Sequence, residues 1–204
     1  MNDFTADWSD DDRPDPTAAQ PRVLMVDDEK EVADAYALRL RDVCDVGTVY
    51  DGPTALDLLD RRDVDVVLLD RHMPEMSGDE VLTALDERGY DGKVIMVTAI
   101  DPGFDVLDMP FDDYLCKPVE REDVRAAVDQ QAKILGYETL GEYFGVESKR
   151  QVLEAELPDD ELADHAEYEA TIERAERLEE RIYRLLDDPR EAFESFASIG
   201  RESR

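Results

Sequence analysis

Five residues are of types that could do chemistry together: Asp27, Asp28, Asp70, Thr98 and Lys117. Each stands at the end of a short apolar run or just past it. The clearest run is Val66-Val67-Leu68-Leu69, which leads straight into Asp70 and the polar turn RHMPEMSG. A continuous apolar run this short reads as a strand buried on both faces, as in a parallel sheet. In open α/β sheets, ligands gather beyond the carboxyl ends of the strands. Three carboxylates meeting at one such edge repel each other and need a cation. An all-oxygen, partly open site suits Mg²⁺, which keeps some of its waters and binds phosphoryl substrates. With the metal in place one carboxylate can act as a nucleophile, and a lysine ammonium and a hydroxyl can neutralise charge on a transferring phosphoryl group. The chemistry that fits is formation of an aspartyl phosphate.

The elements that must position these residues follow from the periodicity. Strands are expected at Arg22–Val26, Val46–Tyr50, Val64–Leu69, Lys93–Val97 and Tyr114–Cys116. Helices are expected over Glu29–Asp42, from Gly52, over Gly78–Arg88 with Gly89 as its stop, and over Glu120–Leu135. This alternation predicts an α/β fold, a five-stranded doubly wound parallel sheet of flavodoxin-like order 2-1-3-4-5. The second strand is then an edge, and the other four deliver their polar ends to one crevice.

The acidic pair, VVLLDRHMPEMSG, VTA and DDYLCKP together resemble the receiver domain of two-component response regulators, over about residues 21–135. The resemblance implies that Asp70 is the phosphoacceptor, with a sensor histidine kinase as donor. It implies that Asp28 and Asp70 hold Mg²⁺ directly, with the backbone carbonyl of His72 as a third ligand and Asp27 assisting through water. Thr98 would bind the phosphoryl oxygen, Lys117 would pair with it, and Tyr114 would be the aromatic that switches with Thr98. Lys117-Pro118 matches the family's cis bond. The His72 imidazole is expected to point outward while its carbonyl works, although the position flanks the path of attacking water. Between Thr98 and Lys117, Pro102 and Pro110 leave little room for a helix, so the fourth helix should be short or irregular.

Acidic residues outnumber basic ones 54 to 23, for a net charge of −31, and only five of the bases are Lys. Such self-repulsion is screened to within about 3 Å in molar salt, which points to a halophile's cytoplasmic protein. The acidity makes free nucleic-acid backbone an unobvious partner. No apolar run approaches the ~20 residues of a membrane span, so no membrane insertion is expected. Cys44 and Cys116 sit in apolar contexts and read as reduced core residues. A phosphohydrolase would want a carboxylate two residues after Asp70, where His72 stands, and a nucleotide-binding domain would want a Gly-rich loop after the first strand. A regulator, not an enzyme, is the better reading.

Residues 1–20 are expected to be a disordered acidic tail, with Phe4 and Trp8 as stray aromatics. Residues 136–188 read as a helical output or dimerisation domain: an apolar stripe through Tyr137, Leu140, Phe144, Leu153 and Leu157 is broken by Pro158. A second helix follows, capped by Asp159/Asp160 and running to Leu186, with His165 on its surface. The pair makes an α-helical hairpin or short coiled coil. The YFGVESKRQVLEAEL stretch resembles the HalX domain of halophilic archaea. Residues 189–204 are expected to be a flexible tail, although Phe193, Phe196 and Ile199 are spaced equally well for a short helical docking face. Arg174, Arg177, Arg181 and Arg184 share a helix face and could follow DNA phosphates, but Glu173–Arg177 and Glu180–Arg184 fit ordinary i,i+4 pairing better. Output by protein contact, with a homodimer as one form, is preferred over DNA.

Overall fold

The structure is a computed structural model of the chain, and it describes residues 20–158, 161–162 and 165–198. Residues 1–19 of the expected tail and the Asp159/Asp160 cap lie outside the described residues. Two compact units divide between Ala132 and Lys133.

The first unit carries five strands: β1 (Arg22–Val26), β2 (Asp45–Val49), β3 (Val66–Leu69), β4 (Lys93–Thr98) and β5 (Asp113–Cys116). They pair in parallel in the order β2-β1-β3-β4-β5, the order expected. The register sets Val26 beside Leu69 and Leu69 beside Met96, so β1 and β3 end level, while β4 and β5 run on together to Thr98 and Cys116, two residues further. Alternation divides each strand between two faces. Leu24, Val26, Val67, Leu69, Val94 and Met96 pack with apolar residues of α2 (Gly52–Leu59) and α3 (Gly78–Arg88) in one core cluster. Val23, Met25, Leu68, Ile95 and Val97 point to the other face and are fully buried. Apolar side chains of α1 (Lys30–Leu40) and the first turns of α4 (Arg121–Glu156) are buried as well.

Local chemistry sets the helix ends. Asp51 caps α2 through the Thr54 N–H at 2.7 Å. Ser77 and Glu80 form a reciprocal capping box at the start of α3, and Gly89 ends that helix in the left-handed region at φ 67°. Between Pro102 and Pro110 the chain makes only a short 3-10 helix, Phe104–Asp108, because neither proline can sit inside an α-helix.

Three expectations need correction. The helix expected to stop at Leu135 runs unbroken to Glu156, since no proline or left-handed residue interrupts it and Gly136, Gly141 and Gly145 are tolerated within it. Cys116 is exposed, not in the core, because β5 is an edge strand. The segment from residue 189, expected as a flexible tail, is helical over Pro189–Ser198 (α6), with Phe193 against Tyr143, Phe144 and Tyr183.

In the second unit, α4 pairs antiparallel with α5 (Ala166–Leu185). Leu140 packs with Ile182 and Leu186, and Val146 with Ala175 and Leu178. Gly136 allows the close approach, since a Cβ there would sit 2.6 Å from Leu186 Cδ2. His165 lies exposed just before α5 and makes no side-chain cap. Arg174 pairs across to Glu142 at 2.6 Å and Arg177 with Glu173 at 3.7 Å.

Candidate functional site

The level ends of β1 and β3 bring the acidic residues together. The Asp70 N–H donates to the Val26 carbonyl at 2.9 Å, the Asp27 N–H to Val49 at 3.2 Å, and the Lys117 N–H to Thr98 at 2.7 Å. One carboxylate oxygen from each of Asp27, Asp28 and Asp70 lies within 4.8 Å of the others. Asp27 is fully buried and Asp70 6% exposed, while Asp28 opens further to solvent.

Lys117 bridges two of the three. Its Nζ donates to Asp27 Oδ2 at 2.6 Å and to Asp70 Oδ1 at 2.8 Å. Burial alone would lower the pKa of this ammonium, but the hydrogen bonds and charges of Asp27 and Asp70 outweigh it and hold the pKa above the usual lysine value. The remaining oxygens are used too: Asp27 Oδ1 accepts from the Glu29 N–H at 2.9 Å, and Asp70 Oδ2 from the His72 N–H at 3.0 Å. Three carboxylates against one ammonium leave an excess of negative charge in a hard, all-oxygen donor set. That set fits a divalent cation of the Mg²⁺ kind.

His72 itself is exposed, and its backbone N–H is the group it gives to Asp70. The loop that carries it is closed twice. The Gly78 N–H donates to the Arg71 carbonyl at 2.9 Å, and Arg71, only 14% exposed in its side chain, makes a forked ion pair with Asp79 at 3.0–3.1 Å. Sequence reasoning missed the Arg71–Asp79 pair, because no periodicity links a loop residue to a helix residue eight positions on. An open cleft of about 400 Å³ runs past this loop, lined by Arg71, His72, Ser77 and Asp79 on one side and Ile100 and Asp101 on the other.

Thr98 is 1% exposed, and its hydroxyl accepts a long hydrogen bond, 3.4 Å, from the Ile100 N–H. The Tyr114 hydroxyl donates to the Ile100 carbonyl at 2.9 Å. Thr98 and Tyr114 therefore meet on the two polar groups of a single backbone residue. Lys117-Pro118 is cis.

The response regulator receiver domain family matches residues 23–129, and the HalX domain matches 133–198. The chain belongs to the response regulator receiver family. This receiver is followed by a HalX domain, and its relatives are regulatory proteins. A Haloferax volcanii protein described as a candidate transcriptional regulator is 40% identical over 186 residues, covering 84% of this chain and 32% of that one. The transcriptional regulatory protein CutR of Streptomyces coelicolor is 40% identical over 111 residues, covering 52% of this chain and 51% of the relative. The chain thus spans about a third to a half of the length of these relatives. Among solved structures, the signal receiver domain of a candidate LuxO repressor from Vibrio parahaemolyticus superposes with a TM-score of 0.58 at 28% identity, covering 60% of this chain and 98% of that domain. The receiver domain of a Francisella response regulator gives 0.52 at 28% identity, covering 55% and 96%. Among the described residues no helix is long and apolar enough to cross a membrane.

Proposed function

We propose that this receiver works in a two-component system, taking a phosphoryl group from a sensor histidine kinase onto Asp70. The observation that carries the reading is the bridge from Lys117 to Asp70 inside a cluster of three carboxylates. Mg²⁺, held directly by Asp28, Asp70 and the His72 backbone carbonyl, with Asp27 through water, would supply the positive charge that lets a phosphoryl group approach. Asp70 provides the attacking carboxylate oxygen. Its bond to phosphorus forms as the donor's phosphorus–nitrogen bond breaks, and the electron pair leaves on the donor imidazole. Lys117, already beside Asp70, pairs with the arriving oxygens. The Thr98 hydroxyl, held by a long bond to Ile100, gives that bond up and donates to the phosphoryl group.

Output follows from the same movement. When Thr98 shifts, Ile100 loses the hydrogen bond from its N–H, and Tyr114 is released from its carbonyl. Next in the chain, Phe104 and Leu107 are 92% and 78% exposed. In a 3-10 helix residues three apart lie over one another, so they make one apolar ridge. That ridge is the surface we assign to a protein partner, a second copy being one form. The test is intact-mass analysis in molar KCl with acetyl phosphate as donor. A gain of one phosphoryl group that needs Mg²⁺ and is lost in Asp70→Asn is expected; the same gain in Asp70→Asn refutes the site.

A second reading is control of transcription through DNA, favoured by the names of the Haloferax and Streptomyces relatives. Against it, Arg174 and Arg177 are paired with glutamates, and Arg181 and Arg184 have interactions of their own. Chromatin occupancy compared between wild type and Asp70→Asn separates the two: discrete sites that vanish in the variant favour DNA, and no enrichment in either favours protein contact.

A further inference from the structure

The main chain leaving Lys117 is held by helix α1. Thr98 anchors Lys117 itself through the backbone bond at 2.7 Å. Pro118 has no N–H to give, so the next donor along the chain is Val119. Both polar backbone groups of Val119 end on side chains of α1. Its N–H donates to the Tyr36 hydroxyl at 3.1 Å in the protein interior, and its carbonyl accepts from the Arg39 guanidinium.

Tyr36 and Arg39 stand three residues apart and so share a helix face. The Arg39 guanidinium lies over the Tyr36 ring, 4.8 Å from its centroid. The Arg39 carbonyl in turn accepts from Arg125 Nε of α4 at 2.8 Å. Tyr36 and Val119 are each 6% exposed. Burying a hydroxyl and part of a guanidinium costs desolvation unless each is hydrogen-bonded, and here both are spent on one residue, two positions beyond the ammonium that bridges Asp27 and Asp70.

We propose that Tyr36 and Arg39 are positioning residues for Lys117: by clamping the N–H and carbonyl of Val119 they fix the main chain from which the Lys117 ammonium reaches Asp27 and Asp70. The consequence for phosphoryl transfer rests on Asp70 being the phosphoacceptor; the clamp itself does not. With no clamp, Lys117 keeps its anchor on β4 but loses the one that follows it, and its ammonium is no longer held over both carboxylates.

The test uses the full chain in molar KCl with Mg²⁺ and acetyl phosphate. Tyr36→Phe removes only the hydroxyl, Arg39→Met removes the donor and keeps the stem, and Arg39→Lys restores a donor. Misplacing a reacting group by about 1 Å can cost up to about a hundredfold; the clamp variants Tyr36→Phe and Arg39→Met are expected to gain phosphate about tenfold more slowly. Arg39→Lys should recover most of the rate, and Mg²⁺ affinity should not fall, because the carboxylates stay in place and lose only a competing ammonium. In a Lys117→Ala background the same substitutions should slow nothing further. Equal slowing in both backgrounds, or no slowing in either, overturns the proposal. A wild-type chain that takes no phosphate defeats the phosphoacceptor reading instead. The clamp is then read by NMR from the Lys117 ammonium, whose proton exchange should be slow in wild type and fast in Tyr36→Phe and Arg39→Met. An ammonium signal that does not respond overturns the clamp.

Discussion

At the scale of single residues, the acidic cluster is a place of stored repulsion that a cation relieves. Asp28 is the member without an ion pair to Lys117 among the bridging contacts, so its charge is the one least compensated. Two carboxylates about 4 Å apart repel by about 1 kcal/mol even in water-like surroundings. Asp28→Asn should therefore raise urea stability in EDTA by about that amount while abolishing the stabilisation that Mg²⁺ gives the wild type; urea melts with and without Mg²⁺ check both halves. The two cysteines differ in kind. Burial pushes the Cys44 thiol up to about 12, whereas Cys116 is exposed. Iodoacetamide at mildly alkaline pH should label one thiol in the folded chain, Cys116, and both after denaturation. Because the folded pKa of Cys44 lies above its ordinary value of 9.0, its contribution to stability is intact below about pH 9 and is lost as pH climbs toward 12. Cys44→Ala should flatten that alkaline decline in urea titrations.

At the scale of elements, the glycines at the two ends of α3 make contrasting demands. A Cβ on Gly78 would stand 2.2 Å from the Asp70 carbonyl oxygen, so Gly78→Ala must push apart the loop that carries Asp70 and His72. Gly89 meets nothing within 4 Å but sits at φ 67°, so Gly89→Ala should cost only the left-handed penalty of about 1–2 kcal/mol. Mg²⁺ titration should separate them: Gly78→Ala loses the response, and Gly89→Ala keeps it with a lower urea midpoint. The strands and α3 could be read from the chain because apolar runs and Gly89 are local signals. The Asp27, Asp70, Thr98 and Lys117 positions were legible because each stands at the end of such a run. What escaped depended on distant partners: the length of α4, the aromatic neighbours that decide for a helix over a loose tail at Pro189–Ser198, and the Tyr36 and Arg39 bonds to Val119. No periodicity in a single chain reports a helix face that meets a loop some 80 residues later.

At the scale of the whole molecule, a net charge of −31 on 204 residues makes salt part of the stability. In about 1 M salt the screening length falls to about 3 Å, from about 10 Å at 0.1 M. The urea midpoint should accordingly rise steadily as KCl is raised into the molar range, and a midpoint independent of salt would remove the halophilic reading of the charge. If phosphorylation, by releasing Ile100, resets the already exposed Phe104–Leu107 ridge so that it fits a second copy, light scattering in molar KCl should show a mass increase only with donor and Mg²⁺ present; a constant monomer would sink that form of output and leave other protein partners. The central claim is the identity of the phosphoacceptor, and it has a direct chemical readout. Borohydride reduces an aspartyl phosphate to homoserine, so reduction of the phosphorylated chain followed by peptide mapping should find homoserine at position 70 and nowhere else. Homoserine at position 27 or 28, or a stable phosphate on a hydroxyl residue with Asp70 intact, would contradict the account.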